Sequence, residues 1–276
     1  MALQLQSDSN TDFIKKLQDF GVIKHKIVAT AMKETDRKYY SNLPSPYVDR
    51  LEIIDANAVL SAPHMHAYAL EKLVDRIRHD SKILDIGSGS GYLTACFARL
   101  IQERAFEKLQ IASGFVIAIE PHERVYKHSI ENILTDNSEL IMSGLIKIFH
   151  GDGKKEIEQY EPFDIIHVGA ALSEIPTDLL MHLNLNGRLI CPVGDKDGEQ
   201  QMMQFDKNSA GEVSKKVLTK VIFDPLKATP VEYSHSEESS LDEQPWTDTT
   251  DDESEWSEHN KTPTSDLNEP EFVLKE

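Results

Sequence analysis

A glycine-rich turn constrains this sequence more than any other feature. Residues 83–95 read ILDIGSGSGYLTA: an apolar run passes Asp85, enters a turn in which Gly87, Gly89 and Gly91 alternate with serines, and continues into a helix-forming segment. Glycine accepts positive φ angles and lets the backbone approach a ligand closely. The pattern therefore predicts a strand, a tight turn and a helix start, which together form the local geometry of a nucleotide-type binding site.

The spacing of the glycines narrows the kind of ligand. In the dinucleotide fingerprint the third glycine comes three residues after the second, whereas Gly91 follows Gly89 after a single serine. The lysine and hydroxyl pair of a P-loop is also missing from the turn, which disfavours a triphosphate. An Asp before a Gly-x-Gly-x-Gly turn is typical of S-adenosylmethionine-dependent methyltransferases.

Composition and charge disfavour several other classes. The 276 residues suffice for one large domain and an appendage. We expect no membrane span, because no run of about 18 apolar residues occurs, and no signal peptide is recognisable. The net charge of −18 disfavours nucleic acid as the main partner. Cys96 and Cys191 lie in apolar stretches, which predicts buried free thiols and a cytosolic location rather than a disulfide.

The negative charge is concentrated at the C-terminal end. Residues 234–276 contain 14 Asp and Glu against two Lys and so carry −12 of the net charge of −18. A segment this acidic, rich in Ser, Thr and Pro, cannot bury enough apolar surface to offset its chain entropy. We therefore expect a disordered tail over residues 233–276, a main domain over residues 11–232 and a flexible N-terminus over residues 1–10.

Two interpretations of the tail remain open. It is either a solubilising segment or a docking or phosphorylation segment that binds a protein partner. The second interpretation rests on the hydroxyl groups beside acids in residues 250–255, and on Trp246, Trp256 and residues 271–274 as apolar points of attachment.

Strand-like and helix-like segments alternate through the main domain. Two helices are expected within residues 11–34 and a third at residues 64–77. Strands are then expected at residues 83–86, 115–119, 145–149, 163–168, 188–193, 202–205 and 217–223. Further helices are expected at residues 93–104, 125–134 and 179–183. Residues 53–60 read as a short strand or an ordered loop. This alternation predicts an α/β fold: a Rossmann-like, doubly wound, mostly parallel sheet of the class I methyltransferase type, preceded by N-terminal helices.

Acidic residues follow three strands of this predicted sheet. Ligands of open parallel sheets bind outside the carboxyl ends of the strands. Asp85 precedes the glycine turn, Glu120 is placed to accept from both ribose hydroxyls, and Asp152 from an adenine amino group. One such acid is explained equally well by a helix cap, but three favour an S-adenosylmethionine site. An NAD-type site is the weaker alternative, because Glu120 lies 35 residues after Asp85 rather than about 20. A second alternative is a protein with this fold that no longer binds a ligand.

Four segments resemble the protein-L-isoaspartate (D-aspartate) O-methyltransferase family. They are residues 61–67 (SAPHMHA), 84–94 (LDIGSGSGYLT), 162–171 (PFDIIHVGAA) and 187–194 (GRLICPVG), and the first is highly specific. The resemblance extends over about residues 11–226. It implies an enzyme that methylates the free α-carboxylate of L-isoaspartyl and D-aspartyl residues in damaged proteins, using S-adenosylmethionine. The ester then collapses to a succinimide, which can reopen as Asp.

The resemblance also implies roles for single residues. Ser61 would hold an oxygen of the substrate carboxylate by a hydrogen bond. That carboxylate is already ionised at pH 7, so no general base is needed. Positioning then supplies most of the rate acceleration. The residues predicted to bind the cofactor are Leu60, Ala62, Pro63, His64, Asp85, Gly87, Ser88, Gly89, Ser90, Gly91, Glu120, Pro121, Asp152 and Gly153. Those predicted on the substrate side are Val59, Gly169, Ala170 and Ala171. His167 is interpreted as a packed strand residue, no metal is implied, and a monomer is expected.

The sequence departs from the family on the substrate side. The family usually has Gly near position 55 and Thr at position 59, where this chain has Asp55 and Val59. Leu172-Ser173 replaces the Ala-Pro of the family. Lys227 replaces a Thr that lies near the cofactor in the family. Val59 lacks the hydroxyl group of Thr, and Asp55 adds a carboxylate near a site built for one. Two hypotheses follow: an active isoaspartyl methyltransferase, or a cofactor-binding paralogue of weak or no activity that acts as an adaptor through its tail.

Overall fold

The computed structural model describes residues 5–55, 58–195 and 198–224. Residues 1–4 of the predicted flexible N-terminus, Lys227 and the predicted acidic tail over residues 233–276 lie outside these ranges. No helix within them is long and apolar enough to cross a membrane.

Two amphipathic helices open the fold, as the sequence predicts. They are α1 (Asn10–Asp19) and α2 (Lys26–Glu34). The Ser9 hydroxyl accepts from the amide of Asp12 and so caps α1. The side-chain amide of Asn10 donates to the carbonyl of Met32 at 3.0 Å, which fastens the start of α1 to the end of α2. A short 3₁₀ helix, Arg37–Tyr39, follows.

A hairpin and a third helix come next. Strands β1 (Glu52–Asp55) and β2 (Ala58–Leu60) pair antiparallel in a sheet of their own. Of the two alternatives for this segment, a strand is therefore correct and an ordered loop is not. Helix α3 (Pro63–Leu73) begins with a proline, whose missing N–H is not needed in the first turn. The expectation that α3 reaches Ile77 is wrong. Val74 and Ile77 remain buried beyond the helix end, so the apolar pattern outlasts the helix.

A seven-stranded sheet forms the centre of the fold. Its strands are β3 (Lys82–Ile86), β4 (Phe115–Glu120), β5 (Ile146–His150), β6 (Phe163–Val168), β7 (Leu183–Val193), β8 (Gln200–Lys207) and β9 (Val213–Val221). The order is β5-β4-β3-β6-β7-β8-β9, parallel from β5 to β7 and antiparallel for β8 and β9. The chain therefore winds outward in both directions from β3, and such a switch point is where open α/β sheets bind ligands.

Five helices connect or flank the strands. They are α4 (Tyr92–Glu107), α5 (Glu123–Asn137), α6 (Glu139–Met142), α7 (Lys154–Tyr160) and α8 (Thr177–Met181). Three of these differ from the sequence prediction. Leu183 begins β7 instead of ending a helix. Neither α6 nor α7 was predicted, because each buries a single residue, Leu140 in α6 and Ile157 in α7.

Alternate residues of the central strands fill two cores on opposite faces of the sheet. Ile83 and Ile165 pack on the side of the N-terminal helices, whereas Leu84 and Ile166 pack on the other side. Cys96 and Cys191 are buried and free, as predicted. Burial raises the pKa of each thiol to about 12, so both are unreactive at neutral pH.

Candidate active site

The glycine turn is fixed to the neighbouring strand by its backbone. Gly87, Gly89 and Gly91 have φ angles of 70°, 55° and 84°. The amides of Gly87 and Ser88 both donate to the carbonyl of Ile119, at 2.9 and 3.1 Å. A side chain at Gly91 would meet Ile133 at 2.9 Å. The strand, turn and helix predicted from the sequence are therefore present, at the carboxyl ends of β3 and β4.

Glu120 ends β4 directly beside this turn. The residue is 3% exposed, and its two carboxylate oxygens accept from the amides of Gly89 and His122, each at 2.9 Å. Burial raises the pKa of this carboxyl group, although both N–H groups oppose the shift. Each oxygen retains a second lone pair, so the carboxylate is held in place and can still accept from a ligand hydroxyl group.

Asp85 joins the glycine turn to the strand on its other side. One carboxylate oxygen accepts from the hydroxyl of Thr94 at 2.6 Å, and the other lies 2.8 Å from Nδ1 of His167. His167 is buried and meets the ring of Phe97 edge-on, which agrees with its interpretation as a packed strand residue. It also lines the cleft between the glycine turn and Ser61.

A small cleft, partly open to solvent, joins the glycine turn to the hairpin. Of the residues predicted from the sequence, it is lined by Val59, Leu60, Ser61, Asp85, Gly87, Ser88, Gly89, Ser90 and Gly169. Prediction missed the other lining residues, which are Met65, His66, Ala69, Leu93, His167, Met202 and Phe223. Met65 and His66 belong to the SAPHMHA segment and could have been found there. Met202 and Phe223 carry no local signal, because distant strands bring them in.

The hairpin and the loop after it form the wall opposite the glycine turn. A Cβ atom on Gly89 would lie 3.7 Å from the carbonyl oxygen of Val59. Ser61 is half-buried, and its carbonyl accepts from Nη2 of Arg37 at 2.9 Å. The candidate catalytic serine is thus fixed through its main chain and lies on the same cleft as the turn.

The two histidines of the SAPHMHA segment face different surroundings. The amide and Nδ1 of His64 bind the carboxylate of Asp49, at 3.0 and 2.8 Å, and His64 does not line the cleft. His66 does line it, with its ring 4.9 Å from that of Tyr92. Burial lowers the pKa of His66 well below 6.5, which keeps the ring neutral. Ala62 and Pro63, between Ser61 and these histidines, are buried at the start of α3.

The remaining cofactor-side predictions lie at the ends of β4 and β5, outside the cleft lining. The carbonyl of Pro121 is 3.2 Å from Nε2 of His150. Asp152 is exposed and accepts from the amide of Lys154, the first residue of α7, at 3.1 Å. Gly153 has a φ angle of 66°, and a side chain there would meet Ile119 at 2.5 Å. The predicted adenine contact of Asp152 stays a prediction.

Close backbone packing holds the substrate-side segment after β6 against the glycine turn. The amide of Gly169 donates to the carbonyl of Ile86 at 2.8 Å, and a Cβ atom on Gly169 would lie 2.7 Å from the carbonyl oxygen of Gly87. Only glycine fits there. Ala170 lies next to Gly87, and the amide of Ala171 donates to the carbonyl of Asp224 at 2.8 Å.

Asp55 does not line the cleft. Its carboxylate lies 3.4 Å from Nε of Arg124, at the start of α5. The expected repulsion between Asp55 and a substrate carboxylate is therefore offset by a nearby positive charge.

Two buried polar atoms on the cleft wall lack partners within the described ranges. They are Oγ of Ser88 and Nδ1 of His66. Buried polar atoms are normally hydrogen-bonded, so unpartnered ones on a cleft wall favour a polar ligand such as S-adenosylmethionine. No group of three or more His, Cys, Asp or Glu that could hold a metal ion occurs among residues 5–55, 58–195 and 198–224.

The sheet order, the glycine turn and the carboxylate of Glu120 define a Rossmann-like methyltransferase of class I. Within that class, the chain belongs to the protein-L-isoaspartate (D-aspartate) O-methyltransferase family, whose sequence model matches residues 8–230.

Individual relatives agree with the family assignment. The protein-L-isoaspartate O-methyltransferase of Caenorhabditis elegans is 36% identical over 226 residues, which cover 82% of this chain and 96% of the relative. Protein-L-isoaspartate O-methyltransferase 1 of Arabidopsis thaliana is 37% identical over 221 residues, covering 79% and 91%. A crystal structure under the same family name from Plasmodium falciparum, in complex with S-adenosyl-L-homocysteine, is 33% identical, with a TM-score of 0.71 and coverage of 80% and 99%.

Proposed function

We propose that this protein methylates the free α-carboxylate of L-isoaspartyl and D-aspartyl residues in damaged proteins and so initiates their repair. One observation carries the proposal: a single cleft joins the glycine turn to Ser61 in a chain of this family. The relatives named above carry the name of this enzyme, and their similarity to this chain extends over nearly their whole length.

The cofactor of this reaction is S-adenosylmethionine, which supplies an electrophilic methyl group when bound. The residues suited to hold it are those of the glycine turn, with Glu120 as the acceptor for its ribose hydroxyls. The unpartnered Oγ of Ser88 fits a polar cofactor group, and the complex of the Plasmodium falciparum structure with S-adenosyl-L-homocysteine supports the same choice.

The substrate carboxylate needs orientation and dehydration more than proton transfer. It is already ionised at pH 7. The hydroxyl of Ser61 can donate to one carboxylate oxygen, and the apolar side chains of Met65, Met202 and Phe223 line the same cleft and exclude water from it. Because burial lowers the pKa of His66 well below 6.5, its ring is a weak base, and it would act as a hydrogen-bonding group instead.

The adaptor hypothesis is disfavoured. It was based on the altered residues of the substrate side. However, Asp55 is paired with Arg124, and the main chain of Ser61 is held by a hydrogen bond from Arg37. A protein partner for the acidic tail rests on composition alone. We further propose a cytosolic monomer, in keeping with two buried free thiols; size-exclusion chromatography with light scattering and fractionation of cells test these two points.

The test of the function is transfer of labelled methyl from S-adenosylmethionine to a peptide that contains one isoaspartyl residue. The control is the same peptide with normal Asp. We expect transfer to the isoaspartyl peptide alone, followed by loss of methanol as the succinimide forms. Equal labelling of both peptides, or of neither, would contradict the proposal.

A further inference from the structure

A buried guanidinium group lies directly behind the candidate catalytic serine. Arg37, in the 3₁₀ helix Arg37–Tyr39, is 2% exposed. Its Nη2 donates to the carbonyl of Ser61 at 2.9 Å. The sequence singles out no role for Arg37, and it is not one of the residues that line the cleft.

The positive charge of Arg37 is only loosely compensated. Within the described ranges Arg37 forms no ion pair, and its Nη1 is buried without a hydrogen-bond partner. Burial lowers the pKa of Arg37, and Tyr92, Glu52 and Asp49 only partly offset that shift. Asp49 binds His64, and Glu52 accepts from Ser41 and Asn42. A buried charge without a direct partner is costly, so its presence beside a cleft favours an anionic ligand there.

Arg37 also connects the two walls of the cleft. Its guanidinium carbon lies 5.7 Å from the ring centroid of Tyr92, which directly follows the glycine turn. The Tyr92 ring in turn packs against His66, on the cleft wall. Arg37 therefore contacts both the Ser61 loop and the first residue of α4.

We propose that Arg37 is a positioning residue for the substrate: it fixes the main chain of Ser61 and provides a permanent positive charge that favours an ionised carboxylate over a neutral group in the cleft. The inference rests on the proposed function, because it assumes the isoaspartyl carboxylate as the ligand. Charges in a buried environment are little screened by solvent, so the group can act without touching the substrate.

Binding to the wild-type protein gives the first test. The full-length chain, saturated with S-adenosyl-L-homocysteine, is titrated in a calorimeter with an isoaspartyl peptide and with its isoasparaginyl counterpart, whose α-carboxamide is neutral. We expect the carboxylate to bind about tenfold more tightly or better. Equal affinities would overturn the proposal, and this comparison needs no variant to fold.

Two substitutions then separate charge from hydrogen bonding. Arg37→Gln keeps an N–H donor and loses the charge, whereas Arg37→Lys keeps the charge and loses the planar fork. Arg104→Gln is the matched control, because Arg104 donates to the carbonyls of Val74 and Ile77 and does not line the cleft.

We expect Arg37→Gln to reduce the preference for the carboxylate about tenfold with little change in affinity for S-adenosyl-L-homocysteine. Arg37→Lys should retain the preference, and Arg104→Gln should match wild type. A full preference in Arg37→Gln, or an equal loss in Arg104→Gln, would overturn the assignment. Selective binding without methyl transfer would leave this inference standing and defeat the proposed function instead.

Discussion

The two walls of the cleft are built by different means. On the cofactor side, the glycine turn and Glu120 follow adjacent parallel strands, and their positions are set by main-chain amides. On the substrate side, residues 58–61 come from a hairpin outside the main sheet, and one anchor is the side chain of Arg37. Sheet register therefore determines the first wall, whereas the Ser61 part of the second wall depends on a hydrogen bond from the side chain of a residue distant in sequence. We expect the second wall to tolerate sequence change more readily and to be easier to damage selectively.

The largest expected effect is on the cofactor wall alone. Gly89→Val places a branched side chain at a φ angle of 55°, facing the carbonyl of Val59. It should abolish binding of S-adenosyl-L-homocysteine while the sheet stays folded, as measured by calorimetry and circular dichroism.

The control for this variant is Gly144→Val. Gly144 has a φ angle of 78° and open space around its Cβ position, so it carries similar backbone strain away from the cleft. It should bind S-adenosyl-L-homocysteine like wild type. If Gly89→Val unfolds the protein, the turn is a structural requirement and not a specific ligand site.

Ser61→Ala should damage the substrate wall alone. Loss of a hydrogen bond to a charged group costs about 1.5–3 kcal/mol, which lowers kcat/KM for an isoaspartyl peptide by roughly 10- to 150-fold. Affinity for S-adenosyl-L-homocysteine should stay within about twofold of wild type, since the bonds that hold the glycine turn are main-chain bonds to another strand. Unchanged kcat/KM would remove Ser61 from the mechanism.

Val59→Thr should improve the substrate wall without changing the cofactor wall. Val59 lines the cleft, and a hydroxyl group there could donate to the substrate. We expect kcat/KM to rise about tenfold, with cofactor affinity unchanged. A fall in kcat/KM, measured in the same assay, would show that the hydroxyl group finds no partner and that Val59 is adapted to this chain.

The smallest effect concerns the pair between Asp55 and Arg124. Arg124 is 77% exposed at its side chain, and exposed pairs contribute little. Arg124→Gln removes the charge that offsets Asp55 and should raise KM for an isoaspartyl peptide less than about fivefold. The double variant with Asp55→Asn should return to the wild-type KM. A double variant as impaired as Arg124→Gln would show that Asp55 does not repel the substrate.

The same division explains what could be predicted from the sequence. The strands β3 to β6, the second half of β7, the glycine turn and Glu120 follow from local patterns, since short apolar runs and glycines indicate strands and turns within a few positions. His64 and His66 stand two residues apart, and only the contact with Asp49 shows why His64 turns away from the cleft. Phe223 reaches the cleft because β8 and β9 add antiparallel to the edge of the sheet, a pairing that no local pattern encodes.

The most direct test of two separately built walls is a two-step titration of the wild-type chain. S-adenosyl-L-homocysteine is added first, and an isoaspartyl peptide or its Asp counterpart is then titrated into the complex. We predict one bound S-adenosyl-L-homocysteine per chain, followed by binding of the isoaspartyl peptide in clear preference to the Asp peptide. Tight binding of S-adenosyl-L-homocysteine with no preference between the peptides would contradict the account, because the cofactor wall would then exist without a working substrate wall.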